Sequence, residues 1–323
     1  MNKELLLLRH GKSDWNQDVD DFHRPLKSKG KRAAQKIGLW LAQQALVPEL
    51  IISSPAERAI NTAKKAAKLF HYASHAIQQN EQLYMATPDE ILEVIHRCPE
   101  TVNRLMLVGH NPGIEELVYQ LAGNSVKVPD DGKLVPTATL AIFHFEGNWQ
   151  HCNTVMFALK EIIRARELPE GFPYPDLNSR ERRERPAYYY RQSAVIPYRW
   201  QGEKLEILII RTNGNNHWVF PKGIVDPELT PAASAEKEAF EEAGVKGKVD
   251  LHSLGHYHVN KWGAQCRVEI FPMRVEDVIP ETHRKESHRK RLWVDVSALS
   301  QYIKDKTLLD LVKSLSQYLG AKR

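Results

Sequence analysis

Apolar residues follow two rhythms along this chain, and the change between them divides it. In the first half, short continuous apolar runs at 5–8, 50–52 and 105–108 alternate with stretches of helical period at 28–44, 56–70, 89–97 and 114–122. The helical period is clear at Ala33, Ile37, Trp40 and Leu41. An apolar run without polar alternation suits a strand covered on both faces. Strands alternating with helices predict an α/β domain, its sheet mostly parallel and flanked by helices on both faces. In the second half, strand-like runs dominate, at 193–198, 205–211, 218–220, 249–258 and 266–275. One helix is predicted over 231–243 and another over 307–319, which makes this half an α+β domain.

Between the halves, the stretch LPEGFPYPDLNSRERRERPAYYYR at 168–191 has four prolines, dense mixed charge and almost no apolar periodicity. Its prolines favour an extended, stiff path. We place a linker at 166–187, a first domain at 1–165 and a second at 188–323. A length of 323 residues agrees with about two domains. With 42% hydrophobic and 26% charged residues, disorder is excluded. The four leucines at 5–8 are too short for a signal-peptide core of roughly 7–15 residues. No run approaches the ~18–20 residues of a membrane span. Cys98, Cys152 and Cys266 are too few and scattered for a disulfide framework or a zinc site. The expectation is a soluble, cytoplasmic protein with no membrane partner. A net charge of +5 is read as an ordinary solvated surface. It permits anionic substrates, and without an aromatic–basic array nucleic acid is not expected.

The three apolar runs of the first half end in chemistry. The first ends in Arg9-His10-Gly11, the second in Ser53-Ser54-Pro55 with Arg58 one turn into the next helix, and the third in Gly109-His110-Asn111. Ligands of open α/β sheets bind at the carboxyl ends of parallel strands, so one rim would receive two histidines and two arginines. Arginine's planar fork suits a tetrahedral dianion. A neutral imidazole can attack phosphorus, and a second histidine, made cationic by the dianion, can stabilise the equatorial oxygens. This chemistry needs no metal. On these residues the first half resembles the histidine phosphatase superfamily, and the Arg24-Pro25-Leu26…Gly30 segment is similar to its small SixA-type members. The resemblance implies His10 as nucleophile, with Arg9, Arg58 and His110 forming the phosphate pocket and no cofactor. Arg24 is either a further phosphate contact or part of a turn before a helix. Glu81, Asp89 and Asp21 are candidate proton donors, though each reads more simply as a surface charge.

In the second half, Glu238, Glu241 and Glu242 stand at i, i+3 and i+4 of the predicted helix, on one face. Such crowded carboxylates repel one another, and a hard divalent cation completed by substrate phosphates would reverse that cost. The bland alternative is a solvated acidic helix face. Together with the Phe220-Pro221-Lys222-Gly223 loop, Gly244 and Val245, these residues resemble the Nudix hydrolases. The resemblance implies Mg2+ (or Mn2+) held by Glu238, Glu241 and Glu242, with Glu241 also catalytic. Two positions depart from the family pattern: Leu229 replaces a glutamate and Lys237 an arginine, which implies loss of a supporting ion pair. Glu228 could compensate by a one-residue slip. Glu281 and Glu286 are candidates for a further metal ligand. Arg191, Lys222, Arg199, Arg211 and the basic segment 283–291 are candidate phosphate contacts, the alternative being solvated surface. Trp200, Trp218 and Trp262 are candidates to stack on a base, and core packing is the alternative.

The expectation is a bifunctional phosphohydrolase acting on anionic phosphorylated small molecules: a histidine phosphatase that works through His10, and a Nudix enzyme that cuts pyrophosphate bonds of diadenosine-polyphosphate-like or NTP-like substrates. The alternative is a phosphatase of phosphohistidine proteins regulated by a Nudix-like nucleotide-sensing module.

Overall fold

A computed structural model of the chain describes residues 2–126, 129, 132–212, 217–284 and 286–322. It divides into two compact units, Met1–Arg182 and Arg183–Arg323.

In the first unit the apolar runs become the centre of a six-stranded sheet among the described residues, in the order β3-β2-β4-β1-β5-β6. The strands are β1 (Asn2–Arg9), β2 (Leu50–Ser53), β3 (Gln78–Gln79), β4 (Arg104–Gly109), β5 (Thr139–Glu146) and β6 (Ala158–Arg164). β1, β2, β3 and β4 run parallel, and β5 and β6 close one edge antiparallel. The four leucines of β1 serve both faces. Leu5 and Leu7 pack with α3 (Pro88–His96) and α4 (Gly113–Ala122), and Leu6 and Leu8 with α1 (Ser28–Gln43) and α2 (Glu57–Ala67). That double burial is why the run shows no polar alternation. β5 and β6 went unpredicted, although β5 carries an unbroken buried apolar run at 140–143; β6 mixes apolar positions with exposed Lys160 and Glu161.

Helix starts follow local chemistry. Thr87 and Glu90 form a reciprocal capping box on α3, with Pro88 at its first position. α1 and α2 meet backbone to backbone: a Cβ on Gly38 would stand 2.3 Å from the Ala66 carbonyl oxygen.

The expected linker holds contacts within the first unit, and the division falls inside it. Lys36 pairs with Glu170 at 2.8 Å and donates to the Leu168 carbonyl. Gln43 donates to the Leu177 carbonyl, and Tyr174 N–H donates to Glu181 O between the short strands β7 (Phe172–Pro173) and β8 (Arg182–Arg183).

The second unit is an eight-stranded sheet among the described residues. Its strands are β9 (Arg191–Gln201), β10 (Lys204–Arg211), β11 (Trp218–Val219), β12 (Lys222–Ile224), β13 (Val245–Val249), β14 (Gly255–Lys261), β15 (Ala264–Val278) and β16 (Arg291–Asp295). α6 (Lys306–Ala321) covers one face through Leu308, Leu311, Val312 and Leu315, and α5 (Pro231–Glu238) the other through Ala232 and Ala235. The single strand expected at 249–258 is two strands, β13 and β14. Asp250 accepts from His252 N–H and is gripped by Tyr318 and Lys322, and this turn breaks the extended chain. The helix expected over 231–243 also changes character. It is α-helical to Glu238, continues as a wider π turn over Ala239–Ala243, and ends at Gly244 in the left-handed region, φ 62°. Among the described residues no helix is long and apolar enough to cross a membrane.

Gly38→Ala should destabilise the first unit by about 2 kcal/mol, since the added methyl meets backbone that cannot move aside. Gly320→Ala, where among the described residues no atom beyond its own helix backbone and chain neighbours lies within 4 Å of the added Cβ, should leave the denaturation midpoint unchanged or raise it. Chemical denaturation of the two variants side by side checks this.

Candidate active sites

Three strand ends converge in the first unit because the central strands are parallel and in register. Arg9 pairs with Gly109, and Ser53 with Val108. The loops after β1, β2 and β4 therefore start within one or two strand spacings of one another. His10 N–H donates to the Gly109 carbonyl, and the His10 and His110 ring centroids are 5.0 Å apart. Arg58 enters from the first turn of α2. Arg24 is brought in by the 11–27 segment, which folds back on itself through a Ser13–Leu26 bridge. Thr62 ties the loop to the helix: it accepts from Gly11 N–H and donates to the Arg58 carbonyl.

The pocket's electrostatics follow from crowding cations around buried imidazoles. His10, His110, Arg24 and Arg58 are all buried, and Arg9 is half-buried. His10 Nδ1 lies 2.7 Å from the Gly11 carbonyl oxygen. A carbonyl only accepts, so Nδ1 carries the proton and Nε2 keeps its lone pair. Burial pushes the His10 pKa down. Arg58, Arg9 and Arg24 add to this against the Gly11 bond, leaving it at about 4. Burial, then His10 and Arg58, push His110 down to about 3. Both rings are neutral at pH 7, as a nucleophilic imidazole must be. His110 Nε2 is 2.8 Å from Ser54 Oγ. The buried Nε–H groups of Arg9, Arg24 and Arg58 have no hydrogen-bond partner among the described residues, so donor capacity remains for an anion.

Two acidic candidates stay on the surface: Glu81 and Asp89 are exposed. Asp21 is exposed as well, but its carboxylate pairs with Arg24 at 2.5 Å and Arg58 at 2.8 Å, and accepts from the Tyr84 hydroxyl at 2.9 Å. It is thus a surface charge that also contacts the pocket arginines. Arg24 is likewise a pocket residue as well as a neighbour of a turn. Tyr84 escaped the sequence reading: it stands edge-on to His110 at 5.6 Å, and a lone tyrosine after a short 3-10 turn carries no local signal.

The second unit gathers acids instead. The Glu238 carboxylate lies against the Gly223 backbone so closely that a Cβ there would stand 2.1 Å from its carboxyl carbon, which is why β12 carries glycine at this point. Burial, then Glu242 and Glu241, push the Glu238 pKa up to about 7. Burial also raises Glu242, which accepts from Lys222 N–H at 3.0 Å and pairs with Arg289 at 3.0 Å. Such mutual repulsion is what a hard divalent cation relieves, so the donor chemistry fits one. The ligand set is not closed, however. Among the described residues no three His, Cys, Asp or Glu side chains gather tightly enough to hold an ion. The π turn and Arg289 hold Glu242 in ion-pair contact.

The remaining candidates separate. Glu286 bonds Arg289 at 2.5 Å and raises the Glu238 and Glu242 pKa values, so it borders the acidic pocket. Glu281 instead pairs with Arg284 and Arg291. Arg291 donates to the Ala243 and Ile279 carbonyls, and so ties down the helix end instead of facing a substrate. Lys285 of the basic segment lies outside the described residues. Lys222 borders the acids, and burial and then Lys261 lower its pKa. Arg191 is exposed at the start of β9. Arg199 bonds Glu206 and lies 4.1 Å from the Trp293 ring centroid, a role in sheet packing, and Arg211 lies at 6.0 Å from the Trp218 ring. Lys237 meets Asp226 at 3.8 Å, a substitute partner for the position where Leu229 offers none. Trp262 packs edge-on against Tyr189, and Trp218 against Tyr302.

A histidine whose folded pKa lies below its unfolded value contributes stability that is complete above about pH 6.5. As pH falls toward about 4 the unfolded chain binds protons first, and the stability held by neutral His10 is lost. NMR titration should find His10 and His110 still neutral at pH 5.5. Added inorganic phosphate should move both midpoints upward.

Residues 5–84 match the histidine phosphatase superfamily (branch 1), and residues 190–313 match the NUDIX domain. An uncharacterised protein of Mycobacterium tuberculosis is 31% identical over 147 residues, covering 44% of this chain and 89% of that protein. Diphosphoinositol polyphosphate phosphohydrolase 3-beta of Bos taurus is 30% identical over 112 residues, covering 34% of this chain and 67% of that protein. The solved protein histidine phosphatase SixA complexed with tungstate aligns with TM-score 0.43 and 18% identity, over 50% of this chain and 97% of its own. With a histidine phosphatase domain of branch 1 in its first unit and a NUDIX domain in its second, the chain belongs to both families and is a hydrolase of phosphorus-containing bonds.

Proposed function

We propose that the first unit removes phosphoryl groups through a phosphohistidine at His10, and that the second hydrolyses pyrophosphate linkages of highly anionic substrates. The observation that carries the first part is the His10 tautomer: Nδ1 is committed to the Gly11 carbonyl, which leaves Nε2 as nucleophile among Arg9, Arg24 and Arg58. Nε2 forms a bond to phosphorus as the bond to the leaving group breaks, and water then releases phosphate from His10. The arginines hold the phosphoryl oxygens, and His110 donates to them once the bound dianion has made it cationic. Phosphorylated small molecules and phosphohistidine proteins both present this group.

In the second unit, Glu238, Glu241 and Glu242 would hold Mg2+ or Mn2+, with Glu286 at the border. A bound dication there supplies charge screening and an activated water. Glu241 orients the proton movement, and Lys222 and Arg191 meet the phosphate chain. The bovine relative's name supports a polyphosphorylated substrate of the diphosphoinositol kind. A cytoplasmic site of action accords with such substrates.

One contact favours a second reading, in which the second unit senses nucleotides and regulates the phosphatase: Arg289 already occupies the Glu242 carboxylate. Full-length variants separate the two. His10→Ala should abolish metal-independent phosphate release, about 10³-fold or more, while sparing Mg2+-dependent cleavage of diadenosine polyphosphates. Glu241→Gln should do the reverse. Absence of any Mg2+-dependent cleavage by the His10→Ala protein would select the sensing reading.

A further inference from the structure

The first site's leaving group needs a proton, and the phosphate-holding residues do not supply it. His10 is committed as nucleophile, cationic His110 is taken up in holding the phosphoryl oxygens, and the arginines do not give up their protons. Asp21 is the acid the fold has brought into contact with them. One carboxylate oxygen bonds Arg24, and the other bonds Arg58 and the Tyr84 hydroxyl. The Asp21 carbonyl accepts a further bond from Arg58 at 2.5 Å. The same side chain is 43% exposed, whereas Arg58 is 3% exposed, so Asp21 borders the open side of the pocket where a leaving group must depart.

Its surroundings couple its charge to the substrate. The groups facing it are Arg24 on its own segment, Arg58 from α2, Tyr84 following β3, and His110 after β4. Burial raises its pKa, but Tyr84, Arg58 and Arg24 outweigh that and keep it ionised. A phosphoryl dianion reverses the balance. It draws on the same two guanidinium forks and places like charge beside the carboxylate, and both changes favour the protonated acid.

We propose that Asp21 is the proton donor of the first site. It takes up a proton as the phosphoryl dianion binds, and gives it to the leaving oxygen or nitrogen while the bond to phosphorus breaks and the His10 Nε2–phosphorus bond forms. The resulting carboxylate takes its next proton when the next phosphoryl dianion binds, and the water that attacks the phosphohistidine leaves its protons on the released phosphate. The assignment rests on the reading of His10 as nucleophile.

The test compares phenyl phosphate, whose leaving group needs the proton, with 4-nitrophenyl phosphate, whose leaving group does not. In the full-length protein, Asp21→Asn keeps a polar group of the same shape beside Arg24, Arg58 and Tyr84. It should lower kcat on phenyl phosphate by about 100-fold and change kcat on 4-nitrophenyl phosphate by less than about fivefold. Wild-type kcat on phenyl phosphate should fall on the alkaline side as the acid is lost, a limb missing with 4-nitrophenyl phosphate. This comparison does not depend on any variant folding. Equal losses on both substrates, no loss on either, or the same alkaline limb with both would overturn the assignment while leaving His10 as nucleophile. If the wild-type protein turns over neither substrate and traps no phosphohistidine at His10, the reading of the site fails, and the assignment with it.

Discussion

The in-register parallel pairing of three strands is the constraint on which the first site depends. Arg9 beside Gly109, and Ser53 beside Val108, put three loop starts within a few ångströms although they are some 45 to 100 residues apart in the chain. A register slip of one residue would turn each strand's side chains to the opposite face and scatter the histidines. The apolar faces forbid such a slip. Leu5 and Leu7 belong to one core and Leu6 and Leu8 to the other, so the packing that stabilises the sheet also holds the chemistry in place.

Bringing cations together has consequences that follow from charge alone. Buried beside arginines, the two imidazoles lose their protons, and the hydrogen bond to Gly11 settles which nitrogen of His10 is bare. The second unit shows the opposite sign of the same effect. Glutamates crowded against the Gly223 backbone rise in pKa because each disfavours its neighbour's charge. Each pocket also carries charge of opposite sign, Asp21 among the arginines and Arg289 with Lys222 beside the glutamates. In both, a side chain meets part of the electrostatic demand that an anion or a cation would meet.

The two fold classes and the residues at the three strand ends were legible in the sequence, because each is written in a local pattern. Continuous apolar runs report strands buried on both faces. Residues such as His10 and His110 follow directly on those runs. Gly223, Glu238 and Glu242 stand at offsets set by one strand, one loop and one helix. Local pattern was less informative where a strand lies at an antiparallel edge, as β6 does, or where a turn interrupts an apolar stretch, as at Asp250.

Hydrophobic periodicity and motif spacing therefore determined which elements form and which residues can carry phosphate chemistry, since both depend only on near neighbours along the chain. The tertiary structure alone decided that Asp21 and Tyr84 join the arginines, that Lys237 turns to Asp226, that Arg291 braces the helix end, and that the helix widens after Glu238. Those outcomes depend on which distant groups arrive at short range. Coulombic and hydrogen-bond energies act through space, and residue spacing carries no record of them.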